Sequence, residues 1–439
     1  MKNTRFQITL FTLLCLLLLP LQTLAADRVY LDITSNQMRK INVALPTFVD
    51  KATGAPSKAG QEMASLLGKA LEFHGIIQIL DPTTYNDSQQ ADWKMTGADY
   101  VVLGQYTRFG SQETLEIRML DVASGKSLPF SSKSAIDASH GKSFTGKISQ
   151  QQEMLFNFCD DAIKALTGIP GIANSRIVFV GLKNNAKEVY LTNILGKDLR
   201  QITRHKNITV SPRFVPHSTN LTYSSYHSGN QNLYITNLLQ NKTTRALSRR
   251  RGMNLAPSWS PDGSRFIVTL SKKGNPDLYL MNSTGEIIRQ LTSGQGINVS
   301  PTWSPDGKYI TFTSDRAGNT PQLYLMNLAT GDVRRLTFEG VQNAEADWSP
   351  TENLIVFTSL RNGVYQIFTM NPLSSDTPKQ LTDGFSYSES PCWSPDGRQI
   401  IFSRQNGAKS QIYAIMKDGS FQRRIFNLPG SQTYPRWAR

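Results

Sequence analysis

Apolar and polar positions follow two different periods along this chain, and the change of period divides it. From Arg176 onward, short runs alternate apolar with polar residues: "RIVFVG", "EVYLTN", "KYITFTSD" (Lys308 to Asp315) and "QLYLMN" (Gln322 to Asn327), with Gly, Asn and Asp clusters between them. Alternation in segments rich in Tyr, Phe, Ile, Val and Thr predicts β-strands. Earlier in the chain the period is helical in two places. Ala59, Met63, Leu66, Leu67, Ala70 and Phe73 share one face of a helix over Ser57 to Phe73, which Gly75 stops. Ile148, Leu155, Phe158, Ala162, Ile163 and Leu166 form a second stripe, over Lys147 to Leu166. "DRVYLDI", "INVALPTF" and "GADYVVLGQYT" (Gly97 to Thr107) read as strands, the last apolar on both faces and hence buried. "ETLEIRMLDVASGKSLPF" reads as a hairpin around Ser124 and Gly125. Strands mixed with helices predict a small α/β domain over 27–168. "LTGIPGI" has the composition of a junction, giving a linker over 169–175 before the strand-rich region 176–439. Each side has its own apolar periodicity, so a cut within Ile169 to Ala173 is expected to leave two folded pieces.

The strand-rich region repeats. Phe214, Trp259, Trp303, Trp348, Trp393 and Trp437 occupy one recurring position at intervals of 45, 44, 45, 45 and 44 residues. Behind each anchor up to Trp393 come further strands in fixed order, closing on stretches such as "VRRLT" and "KQLT". Four short strands per repeat of this length is the signature of propeller blades. The chain reaches only two residues past Trp437, whereas Arg176 to Thr203 supplies three strands with no anchor before them. Joining the last strand to those three predicts a six-bladed β-propeller closed by the C-terminal strand, which spares the sheet an open edge. "WSPDG" recurs after the anchors at Trp259, Trp303 and Trp393, and its acidic residue invites a catalytic reading. Pro, Asp and Gly in that order are turn formers, however, and "WSPTEN" at Trp348 and "FVPHSTN" at Phe214 drop the Asp or the Gly. The motif reads as a turn behind an apolar wedge.

Composition adds destination. Lys2 and Arg5, the apolar run Ile8 to Leu19 and the small residues Ala25 and Ala26 read as a secretory signal peptide over 1–26, cleaved after Ala25 or Ala26. The run is about 12 residues, short of the roughly 20 that a spanning helix needs, so membrane insertion is not expected. Net charge is +14, or +12 without Lys2 and Arg5. For an exported chain that points away from nucleic acid, and toward a solvated basic surface or acidic partners. Cys159 and Cys392 lie in different regions and are not expected to pair.

There is no G-x-S-x-G elbow, and His74, His140, His205, His217 and His227 show no ligand spacing. No catalytic residue, metal or cofactor is expected. The alternative is an exported propeller enzyme acting on polysaccharide bound in the central mouth.

The innermost strand of a blade is the one ending in the anchor, so the loop before it lies at the mouth of the central channel. In those loops Asn207, Asn254, Asn298 and Asn343 recur, accompanied by His205, Arg251, Met253, Glu345, Tyr387, Glu389 and Tyr434. Amides, a Met, tyrosines and mixed charges suit a protein partner better than catalysis.

Taken together, "GADYVVLGQ", "ALTGIPG…RIVFV", "DRVYLDITS" and the repeated "WSPDG" resemble the TolB family, periplasmic components of the Tol–Pal envelope system, over nearly the whole chain. One departure is "VALPTF", where Thr47 is inserted in a stretch that the family usually closes as Val-x-Pro-Phe. The resemblance implies a monomeric, non-enzymatic scaffold that links two partners for envelope integrity and division. The peptidoglycan-associated lipoprotein Pal would dock at the propeller mouth. TolA would take the mature N-terminal segment, whose residues Asp27, Arg28, Val29, Tyr30, Leu31, Asp32 and Ile33 alternate as strand addition requires.

Overall fold

A computed structural model describes residues 39–130, 141–183, 185–239, 244–318 and 320–438. The segment Asp27 to Ile33 lies outside the described residues, as does His140.

The first region is a mixed sheet with two helices. Its strands are β1 (Ile41–Ala44), β2 (Val49–Asp50), β3 (Ala55–Pro56), β4 (Ile77–Ile79), β5 (Tyr100–Phe109), β6 (Gln112–Asp121) and β7 (Lys142–Lys147). The long strand β5 is central. It runs parallel to β1 and β2 and antiparallel to β6, while β4 adds beyond β1, β3 beyond β2 and β7 beyond β6. Helix α1 (Lys58–Phe73) is capped by Ser57, whose Oγ accepts from Gly60 N–H, and it buries Met63, Leu67, Ala70 and Phe73 as its stripe requires. Helix α2 (Gln151–Thr167) starts later than its sequence pattern suggests. Residues Ile148–Gln150 form a 3-10 turn and Ile148 is exposed, because the apolar stripe begins only at Met154. Val102 and Tyr106 of β5 face the helices, while Val101 and Leu103 pack with Tyr85 on the other side, so both faces are covered. Inserted Thr47 fits because its N–H and Oγ1 both donate to the Asp87 carboxylate, at 2.7 and 2.6 Å.

Six four-stranded sheets follow. Blade 1 pairs the C-terminal strand Ser431–Trp437 with Arg176–Lys183, followed by Ala186–Asn193 and Arg200–Gln201. Blades 2 to 6 begin at Thr209, Asn254, Asn298, Gln342 and Ser388, each anchor-bearing strand lying at the start of its sheet's order. The ring therefore closes as the alternation and the anchor count require. The recurring "LT" has a mechanical explanation. Thr203, Thr292, Thr337 and Thr382 each accept a backbone N–H from the third strand of their own blade and donate to Glu188, Asp277, Gln322 and Gln366 in turn. That fastens the short outer strand to the sheet.

The anchors wedge between blades. Trp348 and Trp393 are wholly buried, and Trp303 Nε1 donates to Ser258 O of the preceding blade at 3.0 Å. In the turn behind Trp259, Asp262 accepts from the Ser260 and Ser264 hydroxyls, which hold its carboxyl down at about 2. Gly263 closes that turn at φ +70°, where a Cβ would meet Pro216 O of the previous blade at 2.8 Å. The repeated Asp is a turn acceptor.

Basic residues clamp blade to blade. Arg200, Arg289, Arg334 and Lys379, at one position of the outer strands of blades 1, 3, 4 and 5, donate to Leu238 O, Leu328 O, Pro372 O and Asp418 O of the next blade. Arg423 holds that position in blade 6, but it donates to Phe73 O, the last residue of α1, and to Gln399 Oε1 at 2.6 Å. The first region thus takes the place of a neighbouring blade at this junction. Phe73, Ile172, Ala173, Ile177, Ile401, Met416 and Trp437 belong to one continuous apolar cluster with the α1 and α2 cores. One core cluster thus runs from α1 and α2 through buried Ile172 and Ala173 into blades 1 and 6, while the other blade pairs hold clusters of their own. No disulfide joins Cys159 and Cys392, both of which are buried. Among the described residues no helix is long and apolar enough to cross a membrane.

Candidate functional site

The channel is shaped by a backbone feature that strand alternation does not announce. Three residues before each anchor, Ser211, Ala256, Ser300, Glu345, Ser390 and Tyr434 all adopt left-handed φ, between +51° and +56°. Each coincides with a register shift against the second strand. For non-Gly residues this conformation costs on the order of 1–3 kcal/mol each. Six repeats make it part of how the ring is built, a bulge that turns one residue per blade inward.

That residue is polar in every blade but blade 3, and in blades 5, 6 and 1 Glu345, Ser390 and Tyr434 build a small acidic and phenolic group. Ser390 Oγ donates to Glu345 Oε2 at 2.9 Å. Burial pushes the Glu345 carboxyl up, with the Ser390 bonds and the Arg213 charge opposing. Burial and then the Glu345 charge push Glu389 up. The Glu345 charge, then burial and Glu389, hold the Tyr434 phenol at about 12. Tyr365 and Tyr387 stand beside them with ring centroids 5.8 Å apart. Thus Glu345, Tyr387, Glu389 and Tyr434, which the sequence places in three loops, are brought together.

The folded chain holds the carboxyl protons of Glu345 and Glu389 more tightly than the unfolded chain does. Their contribution to stability is present at acid pH, below the ordinary Glu range near ~4.3, and is lost as pH rises through the raised values. Glu345→Gln is expected to raise the melting temperature at pH 7.5 and to flatten its pH dependence. Equal melting temperatures for both chains at pH 5 and 7.5 would contradict this.

The asparagines behave otherwise than expected. Asn254, Asn298 and Asn343 stand five residues before their anchors and are fully buried. Asn254 Nδ2 donates to Gln231 O, Arg250 O and Gly252 O, and Asn298 Nδ2 to Asp277 Oδ1, Gln295 O and Gly296 O. Asn343 Nδ2 donates to Gln322 Oε1 and Glu339 O. They pin their own loops and offer no amide donor to a partner. Asn207 is exposed but stands seven residues before its anchor, so it is not their equivalent; Thr209 is. Arg251 is exposed, and Met253 and His205 are half-buried.

What faces outward beside the pins is apolar. Ile208, Ile297 and Tyr387 stand six residues before their anchors and are exposed, together with Val341, Phe338 (74%) and Phe385 (97%). Sequence reading missed Ile208, Ile297, Phe338, Val341 and Phe385, although apolar residues in Gly- and Asn-rich loops were the available signal. At the opposite end of the channel, between the turns behind the anchors, Arg213, Ser258, Thr302, Asp347, Cys392 and Arg436 line a cavity of about 300 Å³.

One further cluster has ligand chemistry. His74, Cys159 and Asp160 place their donor atoms within 4.8 Å of one another. Ile172 N–H donates to His74 Nε2 at 3.0 Å, so the ring is neutral and its Nδ1–H donates to Ala70 O at 2.9 Å. Asp160 accepts from Ala173 and Asn174, and burial keeps the Cys159 thiol protonated. Through these bonds His74 and Asp160 hold the junction.

Comparison with known proteins follows the same division. Residues 29–128 match the family model described as the TolB amino-terminal domain, and residues 163–439 match the TolB beta propeller domain. A Tol-Pal system protein TolB from Desulfotalea psychrophila is 52% identical over 224 residues, covering 51% of this chain and 49% of that protein. A protein TolB homolog from Chlorobium chlorochromatii is 32% identical over 251 residues, covering 55% and 54%. The aligned stretch thus spans about half the length of the curated relatives it matches. The crystal structure of TolB from Acinetobacter baumannii superposes with a TM-score of 0.78 at 24% identity, covering 91% of this chain and 97% of that one, a likeness of fold. By fold, by both domain matches and by its relatives, the chain belongs to the TolB family.

Proposed function

We propose that this chain is an exported, non-enzymatic scaffold of the Tol–Pal system, acting in the periplasm to link Pal with TolA and so support envelope integrity and constriction at division. The observation that carries the reading is the loop-side face of the propeller. Exposed Ile208, Ile297, Phe338, Val341, Phe385 and Tyr387 surround a channel mouth with Glu345, Glu389 and Tyr434 inside it. Apolar anchors around a partly dry polar centre are the layout of a protein-docking surface. Pal is the partner assigned to this face. The segment Asp27 to Ile33, which alternates as an added strand would, is assigned to TolA.

Phe385→Ala combined with Tyr387→Ala is expected to weaken Pal binding more than tenfold in calorimetry, with no loss of melting temperature, since both side chains face solvent. Unchanged affinity would move the Pal site to another surface. Undiminished TolA capture by a chain starting at Asn36 would remove the N-terminal assignment.

A further inference from the structure

Two basic loops meet on the loop-side face. Arg204 to Lys206 lead into the inner strand of blade 2, and Arg249 to Arg251 into that of blade 3. Between them stand two imidazoles. His205 and His227, the latter in the hairpin joining the middle strands of blade 2, have ring centroids 4.0 Å apart. Both Nδ1 atoms lie within hydrogen-bonding reach of one hydroxyl, Ser225 Oγ, at 2.9 and 3.2 Å. The Tyr234 ring backs His227 at 4.7 Å, and the Tyr223 ring backs His205 at 5.7 Å.

Arg204, Lys206, Arg249 and Arg251 are exposed, and none is ion-paired among the described residues. The nearby carboxylate, Glu188, is buried and already accepts from Thr203 Oγ1 and from Lys206 N–H. At the outer-strand position, by contrast, Arg200, Arg289, Arg334 and Lys379 are spent on blade-to-blade clamps. Exposed Ile208 and Tyr226 border the cations.

We propose that this rim of blades 2 and 3 is a docking site for an acidic segment of a partner polypeptide. Arg204, Lys206, Arg249 and Arg251 supply the attraction, and the His205–His227 pair makes it pH-dependent. Unneutralised cations on adjacent loops raise the local concentration of a polyanion. The apolar border favours a peptide carrying an aromatic or aliphatic residue over a bare phosphate chain. The inference rests on the reading that the loop-side face docks protein.

The pH dependence has a definite sign. Burial, then His227, holds His205 below the ordinary range; burial, then Arg249, does the same for His227; Glu188 opposes both. At this separation the two rings take up protons as a coupled unit. Carboxylates arriving beside the rings favour their charged forms, so the complex binds protons that the free chain does not. Affinity must therefore rise as pH falls.

The test uses the full chain and a fluorescein-labelled ten-residue Glu-rich peptide with one central Phe, followed by anisotropy at pH 7.5 and 5.5 in low and moderate salt. Binding should tighten at pH 5.5, and should weaken about tenfold or more when salt is raised from 20 to 200 mM, as screening shortens the reach of the charges. Lys206→Glu with Arg249→Glu should abolish binding at an unchanged melting temperature, and Arg204→Glu with Arg251→Glu should do the same. His205→Gln with His227→Gln should erase the difference between the two pH values. Wild-type affinity in both charge-reversed chains would overturn the proposal. So would capture of polyphosphate or of phosphatidylglycerol vesicles without capture of the peptide. Loss of Pal binding in Phe385→Ala with Tyr387→Ala, alongside peptide binding insensitive to charge reversal, would sink this inference and leave the docking face standing. The converse pattern would sink the Pal assignment alone.

Discussion

Trp437→Ala is expected to lower the free energy of unfolding by about 3–5 kcal/mol, the usual range for deleting a buried large aromatic side chain. Trp437 does three jobs at once. It anchors blade 1, its strand closes the ring by pairing with Arg176–Lys183, and its ring meets Phe73 of α1 edge-on at 5.9 Å. Its Nε1 also donates to Ser175 Oγ at the end of the junction, at 2.6 Å. The cavity left behind would open onto the core cluster that holds Phe73, Ile172 and Ile177. Removal of residues 437–439 should do at least as much damage. The urea midpoint measures it, and a loss below about 1 kcal/mol would mean that ring closure does not depend on this residue.

Arg423→Ala is expected to be the second most damaging change, costing about 1.5–3 kcal/mol as the loss of buried hydrogen bonds from a charged group. Burial lowers the Arg423 guanidinium to about 10, yet at neutral pH it remains charged. It lies over the Phe73 ring at 5.3 Å and sits at the carbonyl end of α1, where a cation complements the helix dipole. Without it, Phe73 O keeps only the bond from Gln399 Nε2, at 3.2 Å. The first region should loosen on the ring before the ring itself melts. Limited proteolysis then should cut within 168–175 in the variant and not in the parent. Identical cleavage patterns would show that the apolar cluster alone holds the junction.

Much of this architecture was legible in the sequence because its causes are local. Anchor spacing, two-residue alternation and Pro-Asp-Gly turns each follow from backbone geometry within a few residues, and they sufficed for six blades, the closing strand and the non-catalytic reading of "WSPDG". Helix α1 was legible for the same reason, through the Ser57 cap and the Met63, Leu67, Ala70 stripe. The docking face was legible only in outline. A loop residue's type does not say which way it points. Asn254, Asn298 and Asn343 have the composition of binding residues, yet they are fully buried because loop carbonyls of their own and neighbouring segments compete successfully for their amides.

What only the tertiary structure decided depends on residues far apart in the chain. The inward bulge at Ser211, Ala256, Ser300, Glu345, Ser390 and Tyr434 leaves no alternation signal, since Pro follows most of them and the strand resumes one residue later. The gathering of Glu345, Glu389 and Tyr434 needs three blades to converge on one axis. Arg423 occupies the position of a blade clamp, and only the packing of α1 on blade 6 gives it Phe73 as its partner. The chain by itself specified the ring and its turns, because those arise from short-range backbone preferences and a repeated apolar wedge. Which polar side chains face the channel, the junction or the solvent was decided by the closed ring, where burial and competition for carbonyls are settled among segments brought together only by folding.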